Sequence, residues 1–168
     1  MIPIIIFVIS LFLDGLLTNY LPYLVNDLSI FTPLLTLVSI FIIYPFYRKD
    51  EEKYYIILFI LGFVYDALYT NLLFFNAVLF VGIGLFTKLI YKNFEINCFK
   101  ILLYIPIIII LYETGTALIL LVFNIVPITI YRLLYKISHS LVINIIYGEL
   151  LYLIIKLLPK KWKKIKIN

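Results

Sequence analysis

The chain has 168 residues, 65% of them hydrophobic and only 14% charged, and a mean hydropathy of +1.14. Soluble domains run nearer roughly 45–50% apolar and about 25% charged, and a domain this small has too much surface for its volume to hide the excess. A soluble globular domain, a disordered chain and a disulfide-stapled secreted module are therefore excluded, which leaves a polytopic membrane protein.

Fourteen Lys/Arg against nine Asp/Glu give a net charge of +5. The basic residues cluster at the ends of apolar runs, so membrane topology accounts for them and no nucleic-acid partner is expected. Cys98 is the sole cysteine and His139 the sole histidine. They offer neither a disulfide framework nor a zinc site, and no metal or other cofactor is expected.

A bilayer core about 30 Å thick takes roughly 20 helical residues. In chain order, breaks at charged and turn-like stretches give six spans: 2–19, 30–47, 54–69, 72–90, 99–123 and 139–158. The first lacks a basic leading region and a cleavage site and is interrupted by Asp14, so it reads as a retained helix, not a signal peptide. Between the fifth and sixth spans, Ile130, Leu133, Leu134, Ile137 and Leu141 recur at helical spacing, with Arg132 and Lys136 on another face. That pattern predicts a short helix lying in the outer interface. After Pro159 a basic tail, 159–168, follows the single transmembrane domain 1–158.

With six spans, both termini and two loops share one side. That side carries Arg48, Lys49, Lys53, Lys88, Lys92, Lys100 and Lys156 with the five tail lysines Lys160, Lys161, Lys163, Lys164 and Lys166, twelve in all. The other side has only Arg132 and Lys136. This asymmetry predicts that both termini are cytoplasmic. The tail lysines are expected to act as a topology anchor that attracts anionic lipid, or to dock a cytoplasmic partner.

Four acids fall inside the spans: Asp14, Asp66, Glu113 and Glu149. An ionisable group in hydrocarbon costs several kcal/mol, so each is a functional candidate. Asp14 lies 13 residues beyond Met1, Asp66 13 beyond Lys53, and Glu113 13 beyond Lys100. Each therefore sits about 20 Å from the cytoplasmic boundary. Glu149, 11 residues before Lys160 on the returning sixth span, falls slightly lower. The hexamers Asp14-Gly15-Leu16-Leu17-Thr18-Asn19 and Asp66-Ala67-Leu68-Tyr69-Thr70-Asn71 match at four of six positions, 52 residues apart. The match suggests a parallel repeat of two hairpins. Three readings of the acidic layer stand open. It is a structural network in which carboxyls bond one another, Asn19, Asn71 or Thr114; a ligand or proton site; or a contact with another membrane subunit. Gly62, Gly82 and Gly84 are expected at helix contacts, and Pro33, Pro45 and Pro106 at tolerated kinks.

No nucleophile and base are spaced for catalysis, since Ser138, His139 and Ser140 are adjacent and diverge on a helix. A phosphate-binding glycine loop is missing too, and the expectation is a protein that is not an enzyme. From Gly62 to Lys92 the chain reads GFVYDALYTNLLFFNAVLFVGIGLFTKLIYK. This stretch resembles the MreD family of rod-shape proteins, whose pattern has a Gly, an Asp four residues later, a turn, then Asn and a further apolar helix. Gly62, Asp66 and Asn76 fall on those positions, and Phe74-Phe75 stand where the family often has Gly. The resemblance implies a noncatalytic scaffold subunit of the elongation machinery for peptidoglycan. It would work beside the bitopic protein MreC, the filament MreB, the glycosyltransferase RodA and a class B penicillin-binding protein. On that view Gly62, Asp66 and Asn76, with Asp14, Glu113 and Glu149, serve helix packing or partner contact. The family is similar in layout to the substrate-binding S subunits of energy-coupling-factor vitamin transporters, the alternative function. The small residues through which those subunits dock are missing from the first span, where 4–13 offers only Ser10.

Overall fold

The computed structural model describes residues 2–25, 33–70, 72–94, 97–124 and 129–157, with backbone alone at 21–25 and 98. The described residues are helical: α1 (Ile2–Val25), α2 (Leu35–Ile43), α3 (Glu51–Tyr69), α4 (Phe75–Asn93), α5 (Cys98–Val122) and α6 (Ile130–Leu157). A 3-10 turn, Tyr44–Tyr47, extends α2, where Pro45 removes a backbone donor and tightens the chain. The anchor lysines Lys160, Lys161, Lys163, Lys164 and Lys166 lie outside the described residues.

Among the described residues, four helical stretches are long and apolar enough to cross a membrane: Ile2–Tyr20, Phe75–Asn93, Phe99–Val122 and Ile130–Leu157. Their outward faces carry large apolar side chains, such as Ile4, Val8 and Phe12 on α1 and Leu102, Ile110 and Leu118 on α5. That is the surface expected of a protein whose solvent is lipid. The chain is a multi-pass helical membrane protein.

The centre of the bundle is α2. All nine of its residues are buried, and it packs against α1, α4, α5 and α6. With its 3-10 turn it is only Leu35–Tyr47, shorter than the predicted span 30–47 over the described part. Its apolar residues face protein on every side, including Ile40, Phe41 and Ile43, which are fully enclosed. Hydropathy reads a protein-facing helix and a lipid-facing one alike, which is why the two were indistinguishable in sequence.

The interfacial helix expected before the sixth span is instead the first turns of α6. Nothing between Ile130 and His139 breaks a helix, so α6 runs unbroken for 28 residues, about 42 Å at 1.5 Å per residue. Gly82, expected at a helix contact, faces open space: nothing lies within 4 Å of where its Cβ would be. Gly62 and Gly84 do sit at contacts, on Ala77 and on Leu58 and Tyr54 respectively. Pro106 is carried inside α5.

Candidate functional site

Each α-helix leaves its first backbone N–H groups without an intrahelical acceptor. In water solvent satisfies them, but in a bilayer each orphan costs several kcal/mol. A helix that begins inside the bundle needs acceptors brought from elsewhere in the chain, and the buried acids supply them.

At the start of α2, Asp14 reaches across from α1. Its Oδ1 accepts the N–H of Leu35 at 2.6 Å and its Oδ2 that of Thr36 at 2.9 Å. The preceding N–H, of Leu34, goes to Oδ1 of Asn144 on α6 at 2.8 Å. Asn144 in turn donates through Nδ2 to the Ser140 carbonyl at 2.7 Å. Three successive amides are thus closed by two side chains from two other helices. The carboxylate also faces the positive end of the helix dipole. Asp14 is 1% exposed and Asn144 fully buried. Ser10, one turn before Asp14, bonds the Tyr147 hydroxyl at 2.6 Å and ties α1 to α6 beside the cap.

The start of α4 repeats the device. Asp66, fully buried on α3, accepts the backbone N–H of Asn76 on Oδ2 at 2.8 Å and its Nδ2 on Oδ1 at 2.7 Å. Thr70 Oγ1 donates to the same Oδ1 at 3.0 Å. The Asn76 amide oxygen accepts the Tyr112 hydroxyl from α5 at 2.7 Å, so three helices meet at one polar joint. Gly62, one turn before Asp66, lets the first turn of α4 come close: a Cβ there would stand 2.5 Å from the Ala77 Cα and 2.6 Å from the Asn76 carbonyl oxygen. The turn into α4 is closed by Phe74 at φ 66°, a left-handed conformation that suits glycine far better.

Glu113 behaves differently. Its Oε2 pairs with Lys136 Nζ on α6 at 2.8 Å, the carboxylate side chain 2% exposed and the lysine 44%. Its Oε1 has no hydrogen-bond partner among the described residues. Glu149 is half-buried on α6, next to Gly148, which packs on Ile105 and Val38.

Among the described residues, Asp14, Asp66 and Glu113 bond backbone amides, Asn76, Thr70 and Lys136 where the network reading expected them to bond one another. Asp14 and Asp66 each hold the beginning of the following helix, and Glu113 holds a lysine. Thr114 turns back onto its own helix, bonding the carbonyls of Ile110 and Leu111. Asn71 lies outside the described residues. The matched hexamers do have a common purpose, since each places an aspartate to cap the helix that comes next. Asn144, Tyr112 and Lys136 are the contributors that sequence reasoning missed. Asn144, a lone amide in an apolar run, was the one visible signal; Tyr112 is one of 15 tyrosines and nothing marked it.

Residues 1–162 match the family described as rod shape-determining protein MreD. The chain belongs to the MreD family. No curated protein and no solved structure matches it. Members of the family are rod-shape-determining membrane proteins, part of the rod-shape system and not known as enzymes. Gly62, Asp66 and Asn76, on which the sequence resemblance to MreD was read, are the three residues brought together at the α3–α4 joint.

Proposed function

We propose that this protein is a noncatalytic scaffold subunit of the rod-shape complex in the bacterial plasma membrane, contributing to peptidoglycan synthesis along the cell wall. It crosses the membrane six times, with α2 and α3 supplying the two spans beyond the four long ones, and both termini are cytoplasmic. Its direct partner is a single-span protein of the MreC kind, in a complex with MreB, RodA and a class B penicillin-binding protein. The lysine tail rests on anionic lipid.

The observation that carries this reading is the Gly62–Asp66–Asn76 joint. The residues that follow the family pattern fasten helices, with both Asp66 oxygens occupied by donors from this chain. A rigid bundle presenting a fixed lipid-buried surface is what a scaffold requires. A vitamin-binding subunit that used this joint would instead keep Asp66 and Asn76 available to a ligand.

Affinity purification in mild detergent tests the proposal. A single-span partner with a large external domain should be recovered, and recovery of a transport ATPase in its place would overturn the reading. Topology is tested separately in a Cys98→Ser background. Lys49→Cys and Lys164→Cys should resist an impermeant label on intact cells, while Asn124→Cys should react.

A further inference from the structure

Where α5 ends and α6 begins, a cavity of about 230 Å³ opens between the two helices. Ala117, Leu120 and Leu133 form apolar wall, and Glu113, Arg132 and Lys136 supply charge. Glu113 is nine-tenths or more buried, with one oxygen unpartnered. Lys136 spends one donor on the other oxygen and keeps two, with its side chain 44% exposed. The Arg132 side chain forms no ion pair or hydrogen bond among the described residues. Two cations and one carboxylate leave a single positive charge over an apolar cleft.

We propose that this cleft is a specific site for a phospholipid of net charge minus one, with a phosphodiester and headgroup hydroxyls, as in phosphatidylglycerol. The phosphodiester carries the one negative charge that balances the site and lies on Arg132 and Lys136, whose remaining donors suit phosphate oxygens. An acyl chain continues along Ala117, Leu120 and Leu133. The surface around the cleft is itself apolar, with Val122, Ile130, Tyr131 and Leu134 exposed, so the ligand that reaches it comes from the bilayer rather than from solution. A headgroup hydroxyl is the kind of donor that an unpaired carboxylate oxygen beside the phosphate accepts. A zwitterionic lipid would bring an extra cation to a site already positive.

Native mass spectrometry of the full chain, purified from bilayers containing phosphatidylglycerol, phosphatidylethanolamine and phosphatidylcholine, tests this. One phosphatidylglycerol should be retained per chain, in preference to the other two lipids. Arg132→Gln, at an exposed position that leaves the Glu113–Lys136 pair intact, should reduce retention roughly fivefold or more, the worth of one cation at an anionic headgroup. The paired change Glu113→Gln with Lys136→Gln removes both charges of the ion pair together, with the lysine's donors, and should also reduce it. Lys49→Gln with Lys53→Gln, exposed before and at the start of α3, should leave retention unchanged. Equal retention of all three lipids, preference for phosphatidylethanolamine, or unaltered retention in Arg132→Gln would overturn the proposal. So would loss of the lipid in the Lys49→Gln with Lys53→Gln variant, or its displacement by millimolar inorganic phosphate, which would point to a soluble anion.

Discussion

Replacing Asp66 by asparagine changes one atom type at the α3–α4 joint and reverses a hydrogen-bonding role. Asp66 accepts from both the backbone N–H and the side-chain Nδ2 of Asn76. An asparagine can accept only one of them and sets its own NH₂ against the other. A buried donor left without a partner costs about 1–3 kcal/mol, so Asp66→Asn should lose about that much and Asp66→Ala, which orphans both donors, about 2–6 kcal/mol. The exchange Asp66→Asn with Asn76→Asp restores every match. The amide oxygen introduced on α3 accepts the backbone N–H at the start of α4, the accompanying NH₂ donates to the carboxylate introduced there, and the second oxygen of that carboxylate still accepts from Tyr112. Thr70 Oγ1, which also lies 3.2 Å from the Leu72 carbonyl, turns its proton there and becomes an acceptor. The exchanged protein should therefore be more stable than the sum of its single variants by about 1 kcal/mol or more. The assay is the midpoint of heat-induced loss of the monodisperse peak in detergent, where 1 kcal/mol is worth about 2–4 °C for a chain of this length. A single variant as stable as the parent, or an exchange no better than additive, would refute the capping argument.

Three further outcomes follow from the same geometry. Phe74→Gly should be more stable than Phe74→Ala by about 0.5–1 kcal/mol, because both lose the ring contacts while only glycine is relieved of the about 1–2 kcal/mol that left-handed backbone costs a side-chain-bearing residue, less part returned as chain entropy. Phe74→Ala keeps the strain and loses the rings of Phe59 and Phe63, 6.2 and 5.3 Å from it, so it should fall below the parent in the same measurement. Gly62→Ala drives a methyl into the Ala77 backbone and should cost about 1–3 kcal/mol, whereas Gly82→Ala, facing open space, should be neutral or stabilising in parallel melts. Glu51 accepts from the Lys88 amine at 2.5 Å and from the Tyr44 hydroxyl at 3.1 Å, and the lysine holds its carboxyl below the ordinary value of 4.5. A depressed folded-state value means stability present above pH 4.5 and lost as pH falls through the lower value. Glu51→Gln should flatten that acid limb in a pH series of melts, by little, since the pair is partly exposed.

Composition alone carried the helical membrane class, and counting residues from the boundary put Asp14, Asp66, Glu113 and Glu149 at a similar depth before any coordinates, without separating the two that cap helices from the two that do not. The hexamer match was informative because both copies solve one problem, a helix that starts where water is missing. What those acids bond was illegible for a physical reason. Their partners are the backbone amides of Leu35, Thr36 and Asn76, and every residue except proline has such an amide. Asn144 acts on Leu34 across 110 positions, a separation no local pattern reports. Lys136 sits where charge patterning predicts a solvated face, and only the continuity of α6 turns it toward Glu113. The shortness and centrality of α2 were hidden because apolar side chains look the same whether a lipid or a protein covers them.

The first turn of α2 is closed by a residue on the last helix, and that has a consequence for how the chain is made. Synthesis runs from the N-terminus, so α2 is translated about a hundred residues before Asn144 exists. Until α6 leaves the translocon, the Leu34 amide has no partner from α6, and the N-terminal hairpin is an unfinished product. Assembly of this protein is therefore closed from its C-terminal side. A chain truncated before α6 keeps the Leu34 amide without its Asn144 acceptor, a polar defect within the bilayer.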